Sequence, residues 1–401
     1  MRVIVSKREL AAAYGLALKA VRVQSPKPIL RNLKMAAVAG RAVLIGTDLE
    51  IGIVVELRGA EIADPGEVLL PVKSFGLVLK NLPNGEVSME SGDGRMSVRT
   101  LPSKRGFGLS GMDFKTGIRL PPEDPADFPV VASFGEDSYH EVSAKLARKL
   151  IRRTVFATDT ENTRYALGGV LGGVLVELTP EGITAVATNG RRLAKQEGPA
   201  KSVGGHQTGD TVTIIPARAM QLLERALADS EEAVQLAARE NDVWVHSGRV
   251  TIFARLVEGR YPSWRNVFAK RDDTVKIELS VGPFHAAVRQ AAIVTSEQHR
   301  GVEFSFGEGK VVLAGHGAEL GESLVELPIA YDGPPLPIRL DPRFLIDFLR
   351  VLDPDRTFVM ELKDAKNAAV MELKDAKNAV VCTTDDGYDY VLMPIRDQGH
   401  V

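Results

Sequence analysis

The chain has 401 residues, 44% of them hydrophobic and 25% charged, and its 50 Lys and Arg nearly balance 52 Asp and Glu for a formal net charge of −2. That is enough chain for roughly two to four domains, each with a core of its own, and the single cysteine, Cys382, excludes an internal disulfide and suits a reducing compartment. With no apolar run of membrane-spanning length and no charged-then-apolar leader, the reading is a cytoplasmic protein without a membrane span or signal peptide.

The first expected element is a helix in "SKRELAAAYGLALKAV", opened by Ser6. Serine suits the N-cap because its hydroxyl accepts a bond from an orphan N–H of the first turn. Alternating strands follow, with a turn-rich corner in "VLIGTDLEI". A second helix, "LPVKSFGLVLKNL" from Leu70, has a proline near its start and apolar Phe75, Val78, Leu79 and Leu82 at helical spacing. A hairpin closes the segment: in "EVSMESGDGRMSVR", Val87, Met89, Met96 and Val98 make one face.

The same series then recurs twice. Ser143 opens "SAKLARKLIRRTVF" and Ser280 opens "SVGPFHAAVRQAAIV", at equal steps of 137 residues (143 − 6 and 280 − 143). Corners recur in "TAVATNGRRLA" and "VVLAGHGAE", and second helices in "IPARAMQLLERAL" from Ile215 and "LDPRFLIDFLRVL" from Leu340. The joints "DPADFPVV" and "GRYPSWRNVF" each hold an aromatic–proline pair, suited to a chain crossing rather than a strand interior. The expected fold is α+β: three similar domains, 1–134, 135–270 and 271–401, each of two helices packed on antiparallel sheets.

Two exact duplications interrupt the pattern. The ten residues from Val359 recur from Val370, and "GGVLGGVL" fills 168–175. Both lengthen segments that are shorter in the sister thirds, so they read as local insertions in an existing fold. Eleven extra residues would flip every side chain of a strand to its other face. One copy of the long duplication is therefore expected to leave the sheet as a loop, roughly 363–377.

Charge is segregated along the chain. The six helix stretches together carry +12, leaving −14 (−2 − 12) on the rest. The second helices each hold a basic pair seven apart, Lys73/Lys80, Arg218/Arg225 and Arg343/Arg350, which two helical turns bring to one face. "KLARKLIRR" adds Arg148, Lys149, Arg152 and Arg153, and the last third adds Arg289. Basic helices backed by acidic sheets suit a polyanion lying along them. No aromatics are interleaved for base stacking and no Asn, Gln or Arg cluster is set to read base edges, so weak, sequence-blind phosphate contact is expected. Seven scattered histidines form no HxxxH or HExxH, "GEGKVV" lacks the spacing of a phosphate-binding loop, and Cys382 sits in an apolar strand. The expectation is no enzyme, no cofactor and no metal. The residues alone leave open a ring and a non-encircling DNA-binding adaptor.

"PILRNL…LIGTDLEIGI", "FATDTENTRYALGGVL", "AVATNGRRLA", "GRYPSWRNV", "EQHRGVEF" and "YVLMPIR" together resemble the bacterial DNA polymerase III β subunit family, through all three thirds and in the family's order. The resemblance implies a head-to-tail homodimeric ring with helices lining a central hole around double-stranded DNA. It also implies that a loop holding Arg22, Gln24 and Lys27 touches the duplex. Partners would be the replicative polymerase, the clamp loader and other proteins carrying short clamp-binding peptides. The peptide site carried over by motif comprises Leu167; Thr188, Gly190, Arg191, Arg192 and Leu193; Pro262, Asn266 and Val267; and Val391, Leu392, Met393, Pro394, Ile395 and Arg396. Asn189 and Arg191 depart from the usual Asp and His, Asn266 stands where arginine is common, and 397–401 extends the usual terminal motif.

Overall fold

A computed structural model describes residues 1–38, 40–101, 115–131, 134–159, 168–209, 211–228, 230–268, 274–296, 300–317, 320–363 and 379–395. Seven α-helices are present among them: α1 (Lys7–Ala17), α2 (Val72–Asn81), α3 (Ala144–Thr154), α4 (Gly168–Leu171), α5 (Ala217–Ala226), α6 (Val281–Ala291) and α7 (Pro342–Arg350). Six are the predicted ones. Ser6 and Ser143 cap as expected, each hydroxyl accepting from a backbone N–H three residues on, at 3.2 Å. Ser280 holds the cap position of α6 without a side-chain bond. On α7, Pro342 takes the first turn while the Asp341 carboxylate accepts the Arg343 N–H at 3.1 Å. The apolar stripes face inward: α1 buries Leu10, Ala13 and Ala17, and α7 buries Leu345, Phe348 and Leu349.

The chain forms two compact units, Met1–Arg148 with Ala200–Thr208 and Arg218–Leu256, and Lys149–Pro199 with Gly209–Ala217 and Val257–Val401. The threefold repeat gives two units because strands of neighbouring thirds are spliced into single sheets. In the first unit, one nine-stranded antiparallel sheet crosses from the middle third to the first where Val250–Arg255 pairs with Ile51–Glu56, Ile252 opposite Ile53. A five-stranded sheet ends on Lys115–Arg119 and contains the expected hairpin, with Val87, Met89, Met96 and Val98 all fully buried. In the second unit, an eight-stranded sheet crosses from the middle third to the last where Arg192–Pro199 pairs with Tyr388–Leu392, Leu193 opposite Val391. A four-stranded sheet ends on Gly321–Pro328.

The corners show the repeat at atomic detail. Thr47 donates its hydroxyl to Ile51 O at 2.8 Å and accepts from Leu49 N–H, while Asp48 Oδ1 accepts from Glu50 and Ile51. Thr188 and Asn189 make the same bonds to Arg192 O and to the amides of Gly190, Arg191 and Arg192. The residue at the tip must be left-handed, and it is Leu49 (φ 79°) in one corner and Gly190 (φ 85°) in the other.

The first copy of the long duplication supplies the strand Thr357–Lys363, which pairs antiparallel with Val380–Thr383, Met360 opposite a fully buried Cys382. The loop expected at 363–377 falls almost wholly outside the described residues. The short duplication is divided between two elements. Its second copy enters the strand Gly173–Thr179, and its first copy folds as α4, burying Val170 and Leu171.

Candidate nucleic-acid and peptide interfaces

The loop at 22–27 is built to expose its polar ends. Ser25 is buried; its hydroxyl accepts the Lys27 N–H at 3.3 Å and its carbonyl accepts Arg31 Nε at 2.6 Å, which turns Arg22, Gln24 and Lys27 outward. These three and Lys73 line a cavity of about 740 Å³ together with Asp48 and Leu49. At its base the Asp48 side chain is only 1% exposed and holds two guanidinium groups. Arg22 Nε donates to Oδ2 at 2.9 Å, and Arg218 donates to the same oxygen and to Lys19 O. Burial pushes the Asp48 carboxyl up, but the Ile51 amide and the two arginines outweigh it and hold the group below its ordinary value. One carboxylate between two cations leaves the mouth net positive.

The other predicted cations divide into two classes. Lys73, Lys80, Arg152, Arg225 and Arg289 are exposed. Arg343 and Arg350 are exposed but paired within α7, to Asp341 at 2.7 and 3.0 Å and to Asp347. Arg148, Arg153 and Lys149 of "KLARKLIRR" are engaged by protein groups. Arg148 donates to the carbonyls of Leu227 and Ser230, both at 2.6 Å. Arg153, 9% exposed, donates to Gln196 Oε1 and Asp386 Oδ1, both at 2.8 Å, and lies 4.8 Å above the Tyr388 ring. Lys149 pairs with Asp386 Oδ2 at 2.8 Å. Residues 149 and 153 stand one helical turn apart, so both reach the same carboxylate. Asp386 stands in a turn and serves as the anion for both cations. Burial raises its carboxyl, yet Arg153, Lys149 and the Thr384 hydroxyl together drive it well below the usual carboxylate range.

Of the peptide-site candidates, Leu193, Val267 and Val391 meet in one buried cluster with Met393 packed against it. The cluster also holds Val170, Leu175, Tyr261 and Trp264, which the motif reading had not selected. Tyr261 and Trp264 stood in the quoted "GRYPSWRNV"; their inward aim is a tertiary fact. Pro262 and Asn266 line an adjoining cavity of about 410 Å³, with Glu177, Thr211, Val212 and Arg260. On its wall Arg265 grips Glu177 through two bonds, 3.0 and 2.6 Å, and lies 4.4 Å over the Trp264 ring.

The remaining candidates sit elsewhere. Thr188 is buried and spent on its corner, and Leu392 is buried opposite Arg192 and Val380. Arg191 is exposed beside Gly190, while Pro394 and Ile395 are half-buried. Arg192 is buried, donates to Asp347 Oδ2 at 2.7 Å and to Phe156 O, and lies 4.6 Å over the Phe344 ring. Its partner is on α7, far along the chain, where no local pattern reveals it. Leu167 and Arg396 lie outside the described residues.

Three family models match in order: the N-terminal domain of the DNA polymerase III beta subunit over 1–116, the central domain over 141–263 and the C-terminal domain over 265–396. The chain is 28% identical to the beta sliding clamp of Caulobacter vibrioides over 400 residues, covering 99% of this chain and 100% of the relative, and 26% identical to that of Pseudomonas putida over 411, with the same coverage. Among solved structures, the Caulobacter crescentus DNA polymerase sliding clamp superposes with a TM-score of 0.79 at 26% identity, covering 99% of this chain and 100% of that one. The Bacillus subtilis clamp, at 22% identity and 99% coverage of both chains, has the same fold with a TM-score of 0.83. The chain belongs to the DNA polymerase III beta subunit family, the beta sliding clamps.

Proposed function

We propose that this sliding clamp works by enclosure: two copies close head to tail into a ring around duplex DNA and tether the replicative polymerase to it. One observation carries the reading. At both internal seams, the strand after the corner of one third pairs with the last strand of the next, Ile51–Glu56 with Val250–Arg255 and Arg192–Pro199 with Tyr388–Leu392. The two strands left over in this scheme are Gly321–Pro328 of the last third and Lys115–Arg119 of the first. Each is a sheet edge with no outer partner among the described residues. Edges that complement each other but not themselves make heterologous contacts, and such contacts form rings when the rotation closes.

Two large apolar side chains support it. Thirteen residues after the serines stand Lys19, Phe156 and Ile293; Phe156 packs on Tyr390 of the neighbouring third at 5.8 Å, whereas Ile293 is 69% exposed. Six residues after the helix-opening prolines stand Leu77, Leu222 and Phe348; the latter two are buried, and Leu77 is 63% exposed. Each exposed residue stands beside an open edge, as the second copy would require.

Within the ring the exposed lysines and arginines make weak, salt-sensitive phosphate contacts, and topology supplies the retention. Partner peptides place apolar anchors at the Leu193–Val267–Val391 cluster through the Pro262–Asn266 cavity, a groove-docking mode. The test is to load the protein onto nicked circular plasmid with its loader, raise the salt, and compare retention before and after linearisation. Retention on the circle with loss from the linear form is expected; equal loss from both would favour the non-encircling adaptor. Reversing charge at Lys80 and Arg225, both to Glu, should sharply lower polymerase processivity while leaving solution mass unchanged, because both side chains are exposed on helices. Unchanged processivity would remove them from the DNA face.

A further inference from the structure

We propose that Val170, delivered by the first copy of the GGVL duplication, is an internal competitor for the apolar docking cluster. The inference rests on the docking reading above and adds a regulatory element to it. The second copy already supplies the strand: Gly173 pairs with Pro216, and Leu175 with Ile214 and Val186. The first copy is therefore surplus to the sheet, yet it is docked rather than free. Asp159 N–H donates to Leu171 O at 2.8 Å, and Ala217 N–H to Gly172 O at 3.1 Å. These bonds hold the single turn of α4 so that Val170, only 6% exposed, joins the buried cluster that includes Leu193, Trp264, Val267 and Val391.

A second feature fits the first. Gly259 has a φ of +136°, and a Cβ there would lie 2.5 Å from the Val170 Cγ2 methyl. The missing side chain at 259 leaves the space that Val170 fills. A one-turn helix that opens on Gly168 and Gly169 has little intrinsic stability, so the turn stays in place chiefly through Val170's contacts and the two backbone bonds. An apolar anchor of a partner peptide and the valine compete for one volume, and the clamp binds peptides more weakly than the same cluster would without the turn.

The experiment uses a fluorescein-labelled octapeptide with leucine and phenylalanine anchors, titrated by anisotropy into the full chain, its Val170→Ala variant and a form lacking residues 168–171. Losing the burial of about one valine side chain corresponds to roughly tenfold in affinity, so both variants should bind about tenfold more tightly. Equal affinity for all three overturns the competitor while the docking reading stands; no binding to any of them overturns both. Val170→Ala keeps the turn and serves where the deletion does not fold. A Val170→Cys variant supplies an independent readout, because the other thiol, Cys382, is fully buried. Saturating peptide should speed its reaction with a maleimide, and an unchanged rate in the presence of bound peptide overturns the proposal.

Discussion

Under the proposed head-to-tail ring, Ile293→Asp is expected to leave only a monomer of 43.4 kDa and to abolish salt-resistant retention on circular DNA. The argument is the repeat. Its counterpart Phe156 is packed against a tyrosine of the next third, so Ile293 is the same contact point with its partner missing from the single chain. Burying an isoleucine contributes about 1.5–3 kcal/mol, and the proposed ring of two copies would hold the contact twice, for about 3–6 kcal/mol. Replacing it with a carboxylate adds an uncompensated desolvation cost. Dimer affinity should fall by at least about a hundredfold, since each 1.4 kcal/mol is tenfold. Light scattering after size exclusion gives the mass, and the circular dichroism spectrum should be unchanged because the residue is exposed in the single chain. A variant that stayed dimeric and stayed on the circle would place the closing contact elsewhere.

Asp386→Ala is expected to be the most destabilising single change at the seam between the middle and last thirds. It leaves Lys149 and the nearly buried Arg153 without their anion, and Arg153 with only Gln196 as a side-chain acceptor. Breaking a fully buried pair costs about 3–5 kcal/mol; the Asp386 side chain is 25% exposed, and allowing for solvent screening the loss is about 2 kcal/mol. The pH dependence has a definite sign. The carboxyl is depressed in the folded state, so its contribution is present above the unfolded aspartate value of about 3.9 and is lost as pH falls through that value toward the folded one. Melting curves of wild type and variant should therefore differ most at neutral pH and converge on acidification. A gap that persisted unchanged to pH 3 would mean that lost packing, not lost charge, is responsible.

Much of the architecture was legible because it repeats. Serines at equal spacing, prolines at helix starts and period-two hairpins are local signals, and local hydrogen bonding enforces them. The corners were legible too, since an Asp or Asn bonding its own turn uses only neighbours in sequence. Charge along the chain does not report pairing. A string such as "KLARKLIRR" reports that cations are present but not whether an anion waits for them, and Asp386 lies in another third. Arg192 and Asp347 repeat the lesson. The short duplication repeats it in apolar form: two identical GGVL copies carry the same preferences, yet one becomes strand and the other a helical turn.

The amino-acid sequence by itself determined the threefold repeat, the helix and strand series, the family, and the segregation of positive charge to helices. All of these follow from local propensity, periodicity and motif, which need no knowledge of what lies across the core. Tertiary structure alone decided which cations meet an anion, how strands of neighbouring thirds splice into shared sheets, and that Val170 joins the buried cluster of Leu193, Val267 and Val391. Those outcomes depend on pairing between residues far apart along the chain, where the free energy of an ion pair or an apolar contact is set by the partner and its burial rather than by the residue itself.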